Sequence, residues 1–205
     1  MNSVRKQILY GFSLLAGMSI AAAEIPQAAK PCVACHNEDG ISHEPEVPTI
    51  SGASAFYLEN QLVLFKERQR PCVADTFESE CAASADDHCA LAEKLSKDEM
   101  TKVTEYYASL PFKAADQQVD QSLAEQGASI HEKNCARCHT DAGSLALDDS
   151  GILAGQWKPY LIDQIKHYQT GERWKPKKGL SAVEKLEQSE IKALAEFYAR
   201  EGSGE

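Results

Sequence analysis

The sequence predicts an all-α protein made of two tandem domains that share one plan. Three observations carry this. Shifted by 103 residues (Cys32 onto Cys135), the chain repeats itself: Cys32, Cys35 and His36 fall on Cys135, Cys138 and His139, and Gly52, Tyr57, Leu58, Gln61, Phe65 and Arg70 fall on Gly155, Tyr160, Leu161, Gln164, Tyr168 and Arg173. An internal repeat of this size means two similar structural units. Apolar residues recur at helical spacing, as in Leu58-Leu62-Phe65, Leu161-Ile165-Tyr168 and Val103-Tyr106-Tyr107-Leu110, and no convincing alternating strand pattern occurs. Each unit also carries the same pentapeptide frame, CVACH at 32–36 and CARCH at 135–139.

In chain order, residues 1–23 read as a cleaved signal peptide. Arg5 and Lys6 give a positive start, ILYGFSLLAGMSIA is an apolar run too short to span a bilayer stably, and Ala21-Ala22-Ala23 fits a small-residue cleavage site. No other long apolar run follows, so the mature chain is expected to be soluble, with no stable membrane insertion. Losing Arg5 and Lys6 takes the formal net charge from -10 to -12. Such acidity argues against nucleic acid and anionic membrane as partners and suits a basic docking protein. In an oxidising compartment the seven cysteines are expected as disulfides, metal ligands or covalent attachment points.

C-x-x-C-H is the attachment sequence of c-type haem. Two thiols one helical turn apart form thioethers to the two vinyl groups of one haem, and the next residue places an imidazole under the iron as proximal ligand. The expected attachment residues are Cys32, Cys35, Cys135 and Cys138, with His36 and His139 on the irons, for two covalently bound haems c. Zinc would need further Cys or His at ligand spacing around each pair, and a redox dithiol does not explain the following His twice. The first domain is expected over 24–113, where Pro111 stops its last helix, and the second over 121–205, with a short polar linker at 114–120. Each is small for a core of its own, and a covalently held haem supplies the missing apolar mass. The terminal helices LSKDEMTKVTEYYA (95–108) and LEQSEIKALAEFYA (186–199) match at an offset of 91, so the first half holds twelve extra residues (103 less 91) between Arg70 and Leu95. That insertion carries Cys72, Cys81, His88 and Cys89.

The mature chain resembles the dihaem cytochromes c of the c4 type, and the similar dihaem subunit of sulfide-oxidising flavocytochromes c. The matching elements are C-x-x-C-H, then PTISGASAFYLENQL or GILAGQWKPYLIDQI, then an acidic-aromatic terminal helix, in duplicate. The resemblance implies two class I cytochrome c domains, each of three main helices around one haem. It also implies electron transfer in the periplasm between redox proteins. The family's proline before the first glycine of the middle segment is matched by Pro48, whereas the second copy has Gly151, so another backbone group is expected to orient His139.

In these relatives a methionine binds the far side of each iron, about eight residues before the terminal helix. Here that position is His88 in the first copy and Gly179 in the second, beside Lys177 and Lys178. Outside the signal the chain has one methionine, Met100, which pairs with Ile191 in the repeat and reads as core. His131 lies on the proximal side, His167 at a surface or haem-edge position, and His43 in an exposed loop. His88 is therefore expected on the first iron, with Cys89 as a thiolate alternative and a plain solvated histidine as the other. Among Cys72, Cys81 and Cys89, pairs 72–81 and 72–89 both remain open. For the second iron the candidates are Lys178, with Lys177 as substitute, or an open site; a deprotonated amine is the form that binds. Replacing a thioether with imidazole or amine lowers haem potential, so two low-potential haems are expected. The principal function is an electron carrier between redox partners. The alternative is a haem-based oxidoreductase, or its catalytic haem subunit, acting on a small sulfur compound such as thiosulfate or sulfide.

Overall fold

The computed structural model describes residues 24–72, 87–146, 150–174 and 180–202, the last range from backbone alone at Leu180. The expected signal peptide lies outside these residues, as do Cys81, Lys175, Lys177 and Lys178. The described residues are helical, without a strand, and none of their helices is long and apolar enough to cross a membrane.

Helices begin where the sequence supplies caps. After a 3₁₀ turn at Gln27–Cys32, the first copy forms α1 (Val33–His36), α2 (Ala55–Lys66), α3 (His88–Lys94) and α4 (Lys97–Ala108). Ser54 caps α2, Asp87 caps α3, and Ser96 with Glu99 forms a capping box on α4. The second copy forms α5 (Gln121–Asn134), α6 (Lys158–Thr170), α7 (Leu180–Val183) and α8 (Gln188–Glu201). Asp120 caps α5, Pro159 sits in the first turn of α6, and Gly171 ends α6 in the left-handed region at φ 80°.

The two copies differ at their entrance. In the second, α5 crosses α8 with Gly127 against the carbonyl of Ala193, an approach that a Cβ would block. In the first, the described residues offer only the 3₁₀ turn in that place, because Pro26 and Pro31 lack the backbone donors of a regular helix. The described residues of both copies are thus all-α, as expected, and differ in that the second opens on a regular helix where the first opens on a 3₁₀ turn.

Apolar burial follows the predicted stripes. Ala29, Ala53, Leu58, Val103 and Tyr107 form one core, and Leu161, Leu194, Phe197 and Tyr198 another. Met100 is buried, as its pairing with Ile191 requires. Phe65 leaves this pattern and packs with Cys89, Ala92 and Cys72 in the inserted segment.

The segment between the copies is non-helical but tied down. Ala115 N–H donates to the Gly155 carbonyl (2.8 Å), the Gln117 side chain to the Gln156 carbonyl (2.7 Å), and Asp120 N–H to Glu196 (2.9 Å). Lys158 also pairs with Glu196 at 2.9 Å.

The copies meet through residues that the repeat had already matched. Arg70 donates to Gln61 of its own copy (3.0 Å) and to Gln164 (3.1 Å) and the Tyr160 hydroxyl (3.3 Å) of the other. Arg173 donates to its own Gln164 (2.6 Å) and across to Gln61 (2.7 Å). Each guanidinium lies over the aromatic ring five positions earlier, Arg70 at 4.7 Å from Phe65 and Arg173 at 4.6 Å from Tyr168. Gln156 exchanges two hydrogen bonds with the Thr49 backbone, and Trp157 Nε1–H donates to the Ser42 carbonyl. Gly151 stands where Tyr57 of the first copy packs, so a side chain there would strike its ring. That contact accounts for the missing proline.

Gly127→Val is expected to destabilise the protein by about 1–3 kcal/mol through overpacking at the α5–α8 crossing. Chemical denaturation of the purified holoprotein checks this, with an unchanged midpoint counting against so tight a crossing.

Candidate functional site

A single turn of helix, α1, carries the first motif. After His36 the chain reverses at Asn37 (φ 58°), whose side chain donates to the Ile41 carbonyl at 2.7 Å. Gly40, at φ 72°, accepts from Ile50 and Ser51 and lies against the Tyr107 ring. This loop returns the Pro48 carbonyl to 3.0 Å from Nδ1 of His36. His36 is buried, and desolvation, then the nearby His88 and Arg70, hold it down to about 3 against the opposing Pro48 bond. It is therefore a neutral imidazole with one ring nitrogen engaged.

His88 is the first residue of α3. Its main-chain N–H donates to the Cys72 carbonyl at 3.1 Å, and its Nδ1 lies 3.3 Å from the same oxygen. The Cys72–Cys89 disulfide, with Cα atoms 5.1 Å apart, fixes that oxygen beside the ring. Phe65 stacks on the imidazole, centroids 4.5 Å apart and planes 11° apart. One edge of His88 stays exposed, yet its packed neighbours desolvate the ring and, with Arg70, hold it down to about 4.

The two imidazoles face one another with centroids 6.3 Å apart and planes at 57°. Each has its Nδ1 on a backbone carbonyl, which leaves both Nε2 atoms available. Two imidazoles bound on opposite sides of one metal, each at about 2 Å, place their centroids roughly 6 Å apart. A carbonyl on the second ring nitrogen is the usual way to fix tautomer and orientation of a ligating histidine. The donor set at the first motif thus fits a haem iron between His36 and His88. Cys32 is a free thiol pushed up to about 11 by burial, in position for one thioether. Cys35 is disulfide-bonded, and a thioether there requires the sulfur as a thiol.

Of the two pairings that the sequence left open, Cys72–Cys89 is the one present. It also removes Cys89 as a thiolate candidate, since the sulfur is bonded and the residue fully buried.

The second motif follows α5 in a tight turn, with Cys138 N–H and His139 N–H both donating to the Cys135 carbonyl at 3.0 and 2.9 Å. Cys135 and Cys138 are free thiols, the former pushed up by burial, as covalent attachment of a second haem needs. Gly143 accepts from Leu153 and Ala154 as Gly40 does from Ile50 and Ser51, so the loop repeats. Lys177 and Lys178 lie outside the described residues.

The remaining histidines divide as follows. His43 is exposed, as expected. His131 is a buried core residue, its Nδ1 3.0 Å from the Tyr198 hydroxyl. His167, expected at a surface or haem edge, is buried on α6, which removes the surface alternative, with Nε2 3.7 Å from Asp163 and 3.9 Å from Glu172. Sequence reasoning missed the roles of Phe65 and Arg70. The available signal was an aromatic and an arginine kept five residues apart in both copies, a pairing that a plain core does not require.

Residues 122–197 match the family described as cytochrome C oxidase, cbb3-type, subunit III. The chain is 25% identical over 200 residues to a cytochrome c4 of Thiocapsa roseopersicina, covering 88% of this chain and 96% of the relative. It is 31% identical over 78 residues to cytochrome c-554(548) of Halomonas halodenitrificans, covering 38% of this chain and 82% of that one. A thiosulfate dehydrogenase electron acceptor of Stutzerimonas stutzeri is 29% identical over 194 residues, covering 87% of this chain and 82% of its own. The crystal structure of reduced recombinant cytochrome c4 from Pseudomonas stutzeri superposes with a TM-score of 0.68 at 23% identity, over 83% of this chain and 93% of that one.

Imidazole planes as far from parallel as 57° give a low-spin ferric signal of high anisotropy in electron paramagnetic resonance. The haem-loaded protein is expected to show one such signal, and His88→Ala to abolish it. Retention of the signal in His88→Ala would remove His88 from the iron.

Proposed function

Since the chain belongs to the cytochrome c family, in its c4 type, and is an electron-transfer cytochrome with covalently bound haem c, we propose that it is a periplasmic dihaem carrier whose first iron is ligated by His36 and His88. The single observation that carries the ligation is the facing imidazole pair, 6.3 Å apart with both Nδ1 atoms on carbonyls. The repeat of C-x-x-C-H supports two haems, on Cys32 with Cys35 and on Cys135 with Cys138, and His139 as the second proximal ligand. The proposed units are residues 24–113 and 121–205, joined by 114–120 and preceded by an exported leader at 1–23. Lys178, or Lys177 beside it, remains the proposed sixth ligand of the second iron.

Haem, when bound, supplies the one-electron couple. The chain's residues set its environment. Burial and the nearby Arg70 charge keep the imidazoles neutral, and the Pro48 and Cys72 carbonyls orient them, so the ligand set need not change with oxidation state. Two nitrogen ligands in place of a thioether favour the ferric form and lower the potential. The acidic surface suits a basic partner, and a redox enzyme oxidising a small sulfur compound is the proposed donor, in keeping with the relative named as an electron acceptor of thiosulfate dehydrogenase. A chain that itself turned over such a compound needs an open iron coordination site. At the first haem His88 stands in that place.

Spectroelectrochemical titration is expected to resolve two one-electron steps, both below the range of methionine-ligated c4 cytochromes. Two clearly positive, c4-like potentials would overturn the ligation proposed.

A further inference from the structure

We propose that the second domain positions the distal imidazole of the first haem, acting through Arg70 and Phe65. The inference rests on the reading of His88 as an iron ligand.

The physical path is short. The Phe65 ring lies nearly parallel to His88, at 4.5 Å and 11°. Such a contact restricts rotation of the imidazole about its bond to the backbone, and rotation is what changes the 57° angle to His36. Phe65 is itself buried, held by Cys89 and Ala92 on α3 and by Cys72. The Arg70 guanidinium sits 4.7 Å from the centre of the same ring. Among the described residues, the guanidinium's bond to Gln61 is local, whereas those to Tyr160 and Gln164 come from α6 of the second domain. A further bond, Trp174 N–H to the Gln69 carbonyl at 2.6 Å, fixes the backbone just before Arg70 from the same side.

Two effects on the first haem follow, and they are separable. One is electrostatic. Arg70 acts on both His36 and His88 as a positive charge, and a fixed cation beside an iron site favours the reduced form, which carries one positive charge fewer. The other is geometric. The Phe65 stack sets the plane of the distal ring. The second domain governs both, because it decides where the guanidinium rests.

Four variants of the haem-loaded chain test this, each read by paramagnetic resonance and by redox titration. Arg70→Gln is expected to lower the first haem's reduction equilibrium constant roughly tenfold, about 59 mV for one electron, and leave the other step in place. Phe65→Leu is expected to alter the anisotropy of the first-haem signal with the charge retained. Tyr160→Phe with Gln164→Ala changes only second-domain residues and is expected to shift the first-haem signal in the manner of Arg70→Gln. Tyr160→Phe alone removes one hydroxyl and keeps the test open where the double variant folds poorly. An unchanged first-haem signal and potential in Tyr160→Phe and the double variant would overturn the proposal. A wild-type signal persisting in His88→Ala would instead overturn the ligand reading beneath it, so the two failures are told apart.

Discussion

Two backbone carbonyls hold the functional centre together. Those of Pro48 and Cys72 each occupy one nitrogen of an imidazole and turn the other toward a common point. Neither carbonyl is free to move. Pro48 is set by a loop that closes on Gly40, a residue whose positive φ and contact with Tyr107 leave no room for a side chain. Cys72 is set by a disulfide to the residue after His88. Change either support and one ring loses its tautomer and its aim, so most of the first copy's irregular structure can be understood as serving these two oxygens.

The described meeting of the two copies is built around a polar network, as contacts between units of one chain often are. Buried arginine is costly to desolvate unless its donors are met. Here the cost is partly offset by duplication, because each guanidinium is shared between a glutamine of its own copy and the equivalent glutamine opposite, although Arg173 Nε is buried without a partner. Arg173 is 3% exposed, yet tyrosines 57, 168 and 160 crowd it and favour its charge against the desolvation. A hydrophobic patch of the same area tolerates sliding. Directional bonds of this kind allow one register.

Much of this was legible in the sequence. C-x-x-C-H in duplicate, the helical stripes and the buried Met100 follow from spacing and residue type, and the resemblance added His88 as the candidate in place of a methionine. The proximity of His88 to His36 is something no local pattern encodes, so the sequence pointed to it only through the relatives' methionine position and the elimination of the other histidines. Other features were hidden for specific reasons. Disulfide choice between Cys81 and Cys89 depends on where the inserted chain turns, and nothing in its composition fixes that. His167 read as a surface or haem-edge residue because its counterpart Leu64 lies on a helix whose exposed side could not be told apart from its packed side. Gly151 looked like a defect in the family pattern until Tyr57 of the other copy supplied the reason. The matched Gln, Tyr and Arg residues were visible as a repeat, but a repeat read along one chain does not say that its two copies touch through the very positions they share.

The Cys72–Cys89 bond has a consequence for how the protein is made. It closes a loop across a sequence separation of 17, a constraint of about 3 kcal/mol on the unfolded chain. A thioether at Cys35, by contrast, needs a thiol. Within one stretch of chain, some sulfurs must therefore be reduced while others are oxidised. Burial does not separate them: Cys89 is wholly enclosed, but its partner Cys72 and Cys35 each keep part of their surface in solvent, so a dithiol reductant can reach both. Freeing Cys35 takes two electrons from a thiol reductant that can also reach Cys72, so the Cys72–Cys89 bond outlasts maturation only by re-forming where the fold holds its two sulfurs together.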